Sequence, residues 1–213
     1  MTADMSGGGA DVMATEGAFA GGVELLERAL GYTLGSLHLV RPEMLGNPTP
    51  CREWDLHALL LHMNDSLLAM YEAITARHIW LDPPGEDDVD DVRAGSGEPA
   101  ADLVERLRTR ACRMMGAWAN ARSDVGVRIV DSELSASGVA AVGAVEVAVH
   151  GWDVARACGS DRPLPQPLAV ELLELSTLFV RAADRPGRFA APLPVSPDAG
   201  PGDRLLAYLG RRS

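Results

Sequence analysis

Apolar residues recur at every third or fourth position in four long segments of this chain, and no other feature of the sequence constrains the fold as strongly. In the first segment, residues 19–39, this spacing is carried by Val23, Leu26, Leu30, Leu34 and Leu37. Residues at such a spacing form one stripe along a helix. The stripe must be buried against another element, so the sequence predicts helices that pack on helices.

The other three long segments have boundaries that the sequence also indicates. The second predicted helix begins near Asp55, whose carboxylate can accept hydrogen bonds from the free amides of the first turn, and it continues to Ile74. The third helix is predicted over about residues 100–121 and the fourth over about residues 137–158. Gly159 then suits the left-handed conformation that ends many helices.

Weaker patterns fill the rest of the chain. A fifth helix is predicted over 167–183 and a short one over 203–210. Segment 123–135 fits either a short strand or an extended loop, and the sequence does not decide between them. The segment 82–99 contains prolines and an acidic run, which predicts a solvated loop.

The N-terminal residues, 1–18, are predicted to form a flexible tail. They contain three successive glycines and lack the basic start and apolar middle of a secretory signal. Residues 19–213 are expected to form one domain, because a chain of 213 residues has enough material for one substantial core. The patterns together predict an all-α protein, a four-helix bundle with an additional C-terminal helix.

Charge and composition exclude several classes of function. The net charge is -11 and the basic residues form no stripe, so we expect the protein to repel nucleic acid. The most apolar stretch, residues 139–149, contains Glu146, so no membrane span is expected. The three cysteines are far apart and odd in number, which favours a reducing compartment and predicts a cytoplasmic protein.

Three polar side chains share one face of the fourth predicted helix. At about 100 degrees per residue, His150 and Asp153 fall within about 40 degrees of Glu146. The rest of this helix is apolar or small, which predicts burial. Glu146 and His150 lie on successive turns and can ligate one divalent metal, which would compensate the buried carboxylate. Alternatively, the two side chains pair with each other or with Arg156.

A third ligand from another helix would strengthen the metal interpretation. The second predicted helix offers His57 and His62, which lie about 140 degrees apart and cannot both face one site. Periodicity does not choose between them. His62 has only the slight advantage that small residues on its flank leave room for a pocket.

Two segments carry distinctive motifs: residues 49–62 read TPCREWDLHALLLH and residues 146–157 read EVAVHGWDVARA. Both resemble motifs of the mycothiol-dependent maleylpyruvate isomerase N-terminal domain family, part of the DinB-like superfamily. The family's opening T-P-C-x-x-W-D-x-x-x-L-L-x-H is similar to residues 49–62. Its later signature E/D-x-x-x-H-G-W-D-x-A-R-A is similar to residues 146–157. Residues 203–211, DRLLAYLGR, also resemble the tail of its short, single-domain branch.

This resemblance implies an antiparallel, DinB-like four-helix bundle that holds a divalent metal, often zinc or nickel. One histidine of the second helix and a carboxylate and a histidine of a later helix would be the ligands. Matched residue by residue, these are His62, Glu146 and His150. The resemblance thus selects His62 over His57. Three protein ligands leave a position open for water or substrate, as in catalytic sites.

We therefore expect a metal-dependent enzyme in which the metal lowers the pKa of a thiol co-substrate such as mycothiol, for S-transferase or isomerase-like chemistry. The sequence assigns no catalytic residue beyond the ligands and no other cofactor-binding residue. The expected partner is a small-molecule substrate or thiol, and a homodimer is compatible with the sequence. The competing prediction is a non-catalytic helical bundle that binds a metal or a small ligand.

The resemblance has one departure. The isomerase itself carries an additional C-terminal domain that helps to bind thiol and substrate. The segment after Ala183 is too short to replace that domain. Isomerisation of maleylpyruvate itself is therefore not expected.

Three further residues near these motifs have roles that the sequence leaves open. Asp153 either orients His150 by accepting its second ring N–H, or pairs with Arg156 or caps a neighbouring helix. Cys51 precedes the second helix, where the helix dipole favours a thiolate, but the sequence favours a small buried side chain without a catalytic role, since no paired base can be identified. Trp54 is predicted to form part of the core or of a pocket wall.

Overall fold

Long helices make up most of the structure, a computed structural model that describes residues 7–51, 54–79, 99–121, 124–130, 132–185 and 189–212. The helices are α1 (Gly7–Leu37), α2 (Leu56–Thr75), α3 (Ala100–Asn120), α4 (Ala136–Ala157), α5 (Gln166–Phe179) and α6 (Pro201–Tyr208). The strands are β1 (His78–Ile79), β2 (Gly126–Ile129) and β3 (Ser132–Ser135). The mostly helical fold predicted from the sequence is confirmed.

Capping residues mark where α2 and α4 begin and where α4 ends. Asp55 caps α2 as predicted, because its carboxylate accepts a hydrogen bond of 2.8 Å from the Ala58 amide. Ser135 caps α4 in the same way, with its hydroxyl 3.1 Å from the Gly138 amide. Gly159 has φ 72°, the left-handed conformation predicted for the residue that follows α4.

Helix α1 extends further toward the N-terminus than the apolar spacing indicated. It begins at Gly7, inside the segment predicted as a flexible tail, and residues 1–6 lie outside the described residues. Phe19, at the start of the predicted segment, packs on the ring of Trp118 with 6.1 Å between ring centroids, and both side chains are buried. Residues 15–18, in the added turns, are exposed, so the apolar spacing contained no signal for this part of the helix.

The segment that the sequence left undecided contains a hairpin. Strands β2 and β3 pair antiparallel, and β1 pairs parallel to β2, which gives a small sheet in the order β1-β2-β3. Val127 is the buried residue of β2, whereas all four residues of β3 are exposed. The predicted acidic loop at 82–99 lies outside the described residues except for Pro99.

Contacts between helices establish the relative directions of α1, α2 and α4. Gly22 of α1 lies beside Ala140 of α4, and further along both helices the Thr33 hydroxyl donates to the Val147 carbonyl at 2.7 Å, so α1 and α4 run parallel. Helix α2 runs antiparallel to α4, since Met70 contacts Gly143 while His62, earlier in α2, contacts Glu146, later in α4. The indole of Trp118 in α3 donates to the Met70 carbonyl at 3.0 Å.

Helix α4 lies at the centre of the bundle. By length and composition alone it could cross a membrane, but 83% of the relevant window is buried inside the fold. Long apolar helices at the centre of a bundle meet the same criterion. The polar residues of α4 are therefore surrounded by protein on most sides.

Candidate metal centre

Helices α2 and α4 bring the predicted residues His62, Glu146 and His150 together. The His62 Nε2 atom lies 2.7 Å from Glu146 Oε1, and the His150 Nε2 atom lies 3.5 Å from the same oxygen. One nitrogen or oxygen atom from each of the three side chains lies within 4.8 Å of the other two. Two imidazoles and a carboxylate from two neighbouring helices thus face a common point.

The antiparallel packing of α2 and α4 selects one of the two histidines on α2. His62 faces α4, where its ring meets that of His150 edge to face with 5.1 Å between centroids. His57 is not a member of the three-residue cluster found within the described part of the chain. Ser66, one turn after His62, donates its hydroxyl to Glu146 Oε1 at 3.2 Å.

A second layer of polar groups holds His150 from its other side. The Nδ1 atom of His150 lies 3.0 Å from Asp153 Oδ2. The guanidinium of Arg211 donates to both carboxylate oxygens of Asp153, at 2.8 to 3.0 Å. Arg156 instead lies 3.6 Å from Asp161. Asp153 therefore contacts His150, which is one of the alternatives that the sequence left open. Its arginine partner is Arg211 and not Arg156.

Glu146, His150 and Asp153 shift one another's pKa values. Desolvation alone would raise the pKa of Glu146, but the charges and hydrogen bonds of His150 and His62 outweigh it and hold that pKa well below its usual range. Desolvation would lower the pKa of His150, yet Glu146 and Asp153 raise it to about 9. The pKa of Asp153 is lowered, because His150 and Arg211 outweigh the effect of burial.

The donor set fits a divalent metal. Two histidine nitrogens and one carboxylate oxygen are ligands that zinc and nickel accept, and their number leaves a coordination position free. Because Asp153 faces Nδ1 of His150, the Nε2 atom of that ring is the one directed at the cluster. An acceptor at Nδ1 and an Nε2 atom directed at the cluster are both typical of a ligating histidine.

An aromatic ring and an apolar crevice border the cluster. The Trp54 ring lies 4.3 Å from the His62 ring and 6.0 Å from the His150 ring, measured between centroids, so Trp54 forms a wall of the site as predicted. On the other side, between α1, α2, α3 and α4, lies a narrow crevice with a volume of about 10 Å³, room for about one water molecule. Apart from Thr33, Ser66, Glu146 and His150, its lining is aliphatic or methionine. Cys51 is half-buried and lies a few residues before the start of α2.

The sequence interpretation missed the role of Arg211. This arginine lies in the segment DRLLAYLGR that resembles the family's tail, but no contact with the site was assigned to it. A buried acid such as Asp153 needs a partner, and that requirement was the available signal. It did not identify which arginine would satisfy the acid, because Arg211 is 58 positions away in the chain.

Comparisons with known proteins identify relatives in sequence and in fold. Relatives include an uncharacterized protein of Mycobacterium tuberculosis, found in two strains, which is 27% identical over 189 residues and covers 87% of this chain and 94% of its own. The crystal structure of the mycothiol-dependent maleylpyruvate isomerase and that of a histidine mutant of it superpose with a TM-score of 0.58. They share 18% identity and cover 74% of this chain and 67% of their own, which establishes the fold alone.

A family model also matches directly. It describes the mycothiol maleylpyruvate isomerase N-terminal domain and aligns with residues 26–155. The aligned part includes the C-terminal part of α1, all of α2 and α3, most of α4, and all three clustered side chains. This chain therefore belongs to the mycothiol maleylpyruvate isomerase N-terminal domain family.

Proposed function

We propose that this protein is a divalent-metal-dependent enzyme that uses a small thiol of the mycothiol type as co-substrate, in S-transfer or isomerase-like chemistry. The observation that carries the proposal is the convergence of His62, Glu146 and His150 within 4.8 Å. A metal bound there would lower the pKa of a thiol and so supply a thiolate nucleophile at neutral pH.

The chain's own residues have separate roles in this proposal. His62, Glu146 and His150 supply the donors, and Ser66 steadies the carboxylate through its 3.2 Å hydrogen bond. Asp153 fixes which nitrogen of His150 faces the site. Trp54 covers the His62 ring on one side and limits the access of water. The arrangement is that of a catalytic site, with an open position, and not of a closed structural one.

The crevice beside the cluster supports a substrate that is apolar where it contacts the protein. Of the described residues that line it, none is Lys or Arg. A dicarboxylate such as maleylpyruvate would meet no cation in this crevice and would lie close to Glu146. We therefore propose that the thiol reacts with an electrophile that is uncharged where it approaches the cluster.

Metal content tests the first half of the proposal. Protein expressed with zinc and nickel in the medium is expected to carry about one divalent ion per chain by elemental mass spectrometry. His62→Ala should lose that ion, whereas His57→Ala, on the same helix but outside the cluster, should retain it. Wild-type protein without a stoichiometric metal would overturn the proposal.

A direct contact supports one competing interpretation. Because His62 and Glu146 already lie 2.7 Å apart, the cluster can satisfy its polar groups without a metal. A non-catalytic bundle with this pair, or one that only binds a metal, would give no thiol conjugation. The rate at which metal-loaded protein conjugates mycothiol to uncharged electrophiles separates catalyst from binder, with His62→Ala, which should carry no metal, as the blank.

A further inference from the structure

We propose that Arg211 is a positioning residue for the candidate metal centre, acting through Asp153 on His150. The inference rests on the proposed function, because it concerns the orientation of His150 as a metal ligand. Arg211 follows α6 and lies far outside the sequence that matches the family model. Its side chain nevertheless reaches the buried layer directly behind His150.

The contacts between Arg211 and Asp153 are specific in geometry. Nε of Arg211 lies 2.9 Å from Oδ1 and 3.0 Å from Oδ2, and Nη2 lies 2.8 Å from Oδ2. The planar guanidinium therefore holds the carboxylate through two of its nitrogens, which fixes the plane of the carboxylate. A lysine ammonium has no such fork and fixes the distance only.

The same carboxylate oxygen links Arg211 to the histidine. Oδ2 of Asp153 accepts from Arg211 and lies 3.0 Å from Nδ1 of His150. The Asp153 side chain has no exposed surface and that of Arg211 is only 10% exposed, so water cannot substitute for either partner. Without Arg211, the carboxylate would be free to rotate, and the orientation of the His150 ring would depend on it alone.

The backbone around Arg211 aims its side chain inward. Gly210 has φ 80°, and its amide and that of Arg211 donate to Ala207 and Leu206 carbonyls at 3.0 and 2.8 Å, the pattern of a glycine cap that ends α6. A Cβ on Gly210 would also collide with Ala190. Glycine is therefore required here for two independent reasons, and the cap anchors the segment that carries Arg211.

Helix α6 is itself anchored in the core. Leu205, Leu206 and Leu209 are buried, and all three belong to the main hydrophobic cluster. The position of Arg211 is thus set by rigid packing and by the cap. Arg211, which follows α6, therefore holds the Asp153 carboxylate in place behind His150.

Zinc affinity measured by competition with a chelating dye tests this inference. Arg211→Ala is expected to weaken zinc binding about 10- to 100-fold, the range typical for loss of groups that orient a ligand. Arg211→Lys should give an intermediate loss, because the charge remains and the fork does not. Arg212→Ala is the matched control, since it removes the same charge from the exposed neighbouring residue and should leave affinity unchanged.

A second measurement separates positioning from general stability and needs no metal. In wild-type protein, NMR is expected to detect the Nδ1 proton of His150 protected from exchange by its bond to Asp153, and Arg211→Lys should exchange it faster. Wild-type zinc affinity in folded Arg211→Ala or Arg211→Lys would overturn the inference. If wild-type protein binds no zinc or nickel, the proposed function fails, and unchanged proton exchange in Arg211→Lys would overturn this inference separately.

Discussion

The contacts between described residues include two arginine–carboxylate pairs that join distant parts of this chain, and the two pairs differ mainly in burial. Arg28 of α1 contacts Glu171 of α5 at 2.7 and 2.9 Å, and their side chains are 35% and 46% exposed. Arg211 contacts Asp153 of α4 at nearly the same distances, with side chains that are 10% and 0% exposed. The chemistry of the two pairs is the same, whereas their surroundings are not.

Burial changes what such a pair does for the protein. An exposed pair gains little, because water solvates both charges well when they are apart. A buried pair must first lose its hydration, so it adds little net stability while making the loss of either partner severe. In this bundle the buried pair also contacts His150. We infer that it is retained for what it does at the site rather than for net stability.

Removal of the buried carboxylate should have the largest effect. Asp153→Ala leaves the Arg211 guanidinium without its partner in the interior, and we expect a loss of about 3–5 kcal/mol in the free energy of unfolding. Urea denaturation in the presence of a chelator measures this loss without any contribution from bound metal.

The control for this prediction is another aspartate next to an arginine. Asp161 lies 3.6 Å from Arg156 and its side chain is almost fully exposed, so Asp161→Ala should leave the unfolding midpoint unchanged. If both alanine variants unfolded at the wild-type urea concentration, burial would not distinguish the two kinds of pair.

Replacement of both buried partners by apolar side chains should have a smaller effect. We expect the double variant Asp153→Leu/Arg211→Met to recover most of the about 3–5 kcal/mol that Asp153→Ala loses, because no buried charge of the pair is left unpaired. Its zinc affinity should stay reduced, since His150 still lacks the carboxylate at Nδ1. A double variant that regained wild-type zinc affinity would contradict a role for the pair at the site.

Loss of the exposed pair should have the smallest effect. Arg28→Ala is expected to lower the free energy of unfolding by about 0–1 kcal/mol, and by less in high salt, because solvent and ions screen the pair. Thermal unfolding of the two proteins in low and high salt measures the difference. A loss as large as that of Asp153→Ala would remove the contrast between the pairs.

The pH dependence of the exposed pair follows from Glu171. The hydrogen bond from Arg28 lowers the pKa of Glu171 below its ordinary value of 4.5. A carboxyl group with a lowered folded pKa stabilises the protein above its unfolded pKa, and this contribution is lost as the pH falls through the folded value. The difference between wild type and Arg28→Ala should therefore be constant well above pH 4.5, decrease as the pH falls below that value, and disappear only below the lowered folded pKa of Glu171.

The parts of the site that share one helix could be predicted from the sequence. Helical periodicity placed Glu146, His150 and Asp153 on one face of α4, and the structure confirms that they share it. The capping role of Asp55 and the left-handed Gly159 were predicted for the same reason, because both depend on local chemistry. Interactions within a few residues are visible in a sequence.

Contacts between elements could not be predicted in that way. His62 and His57 had similar surroundings on the helical wheel, and only the family resemblance and then the packing of α2 on α4 separated them. The hairpin at 126–135 stayed undecided because β3 is exposed at every position and lacks the alternation of a half-buried strand. Arg211 was missed because its partner lies 58 residues earlier.

The parallel pairing of α1 with α4 has a consequence for how this protein folds. The Thr33–Val147 hydrogen bond joins residues 114 positions apart, so the first helix must wait for the fourth before it can bury its stripe. Chains with such distant pairings lose loop entropy before they gain contacts, and their folding rates are lower than those of bundles built from successive hairpins. We therefore expect the docking of α4 to limit the rate of folding, so that the polar residues on its buried face stay hydrated until that step is complete.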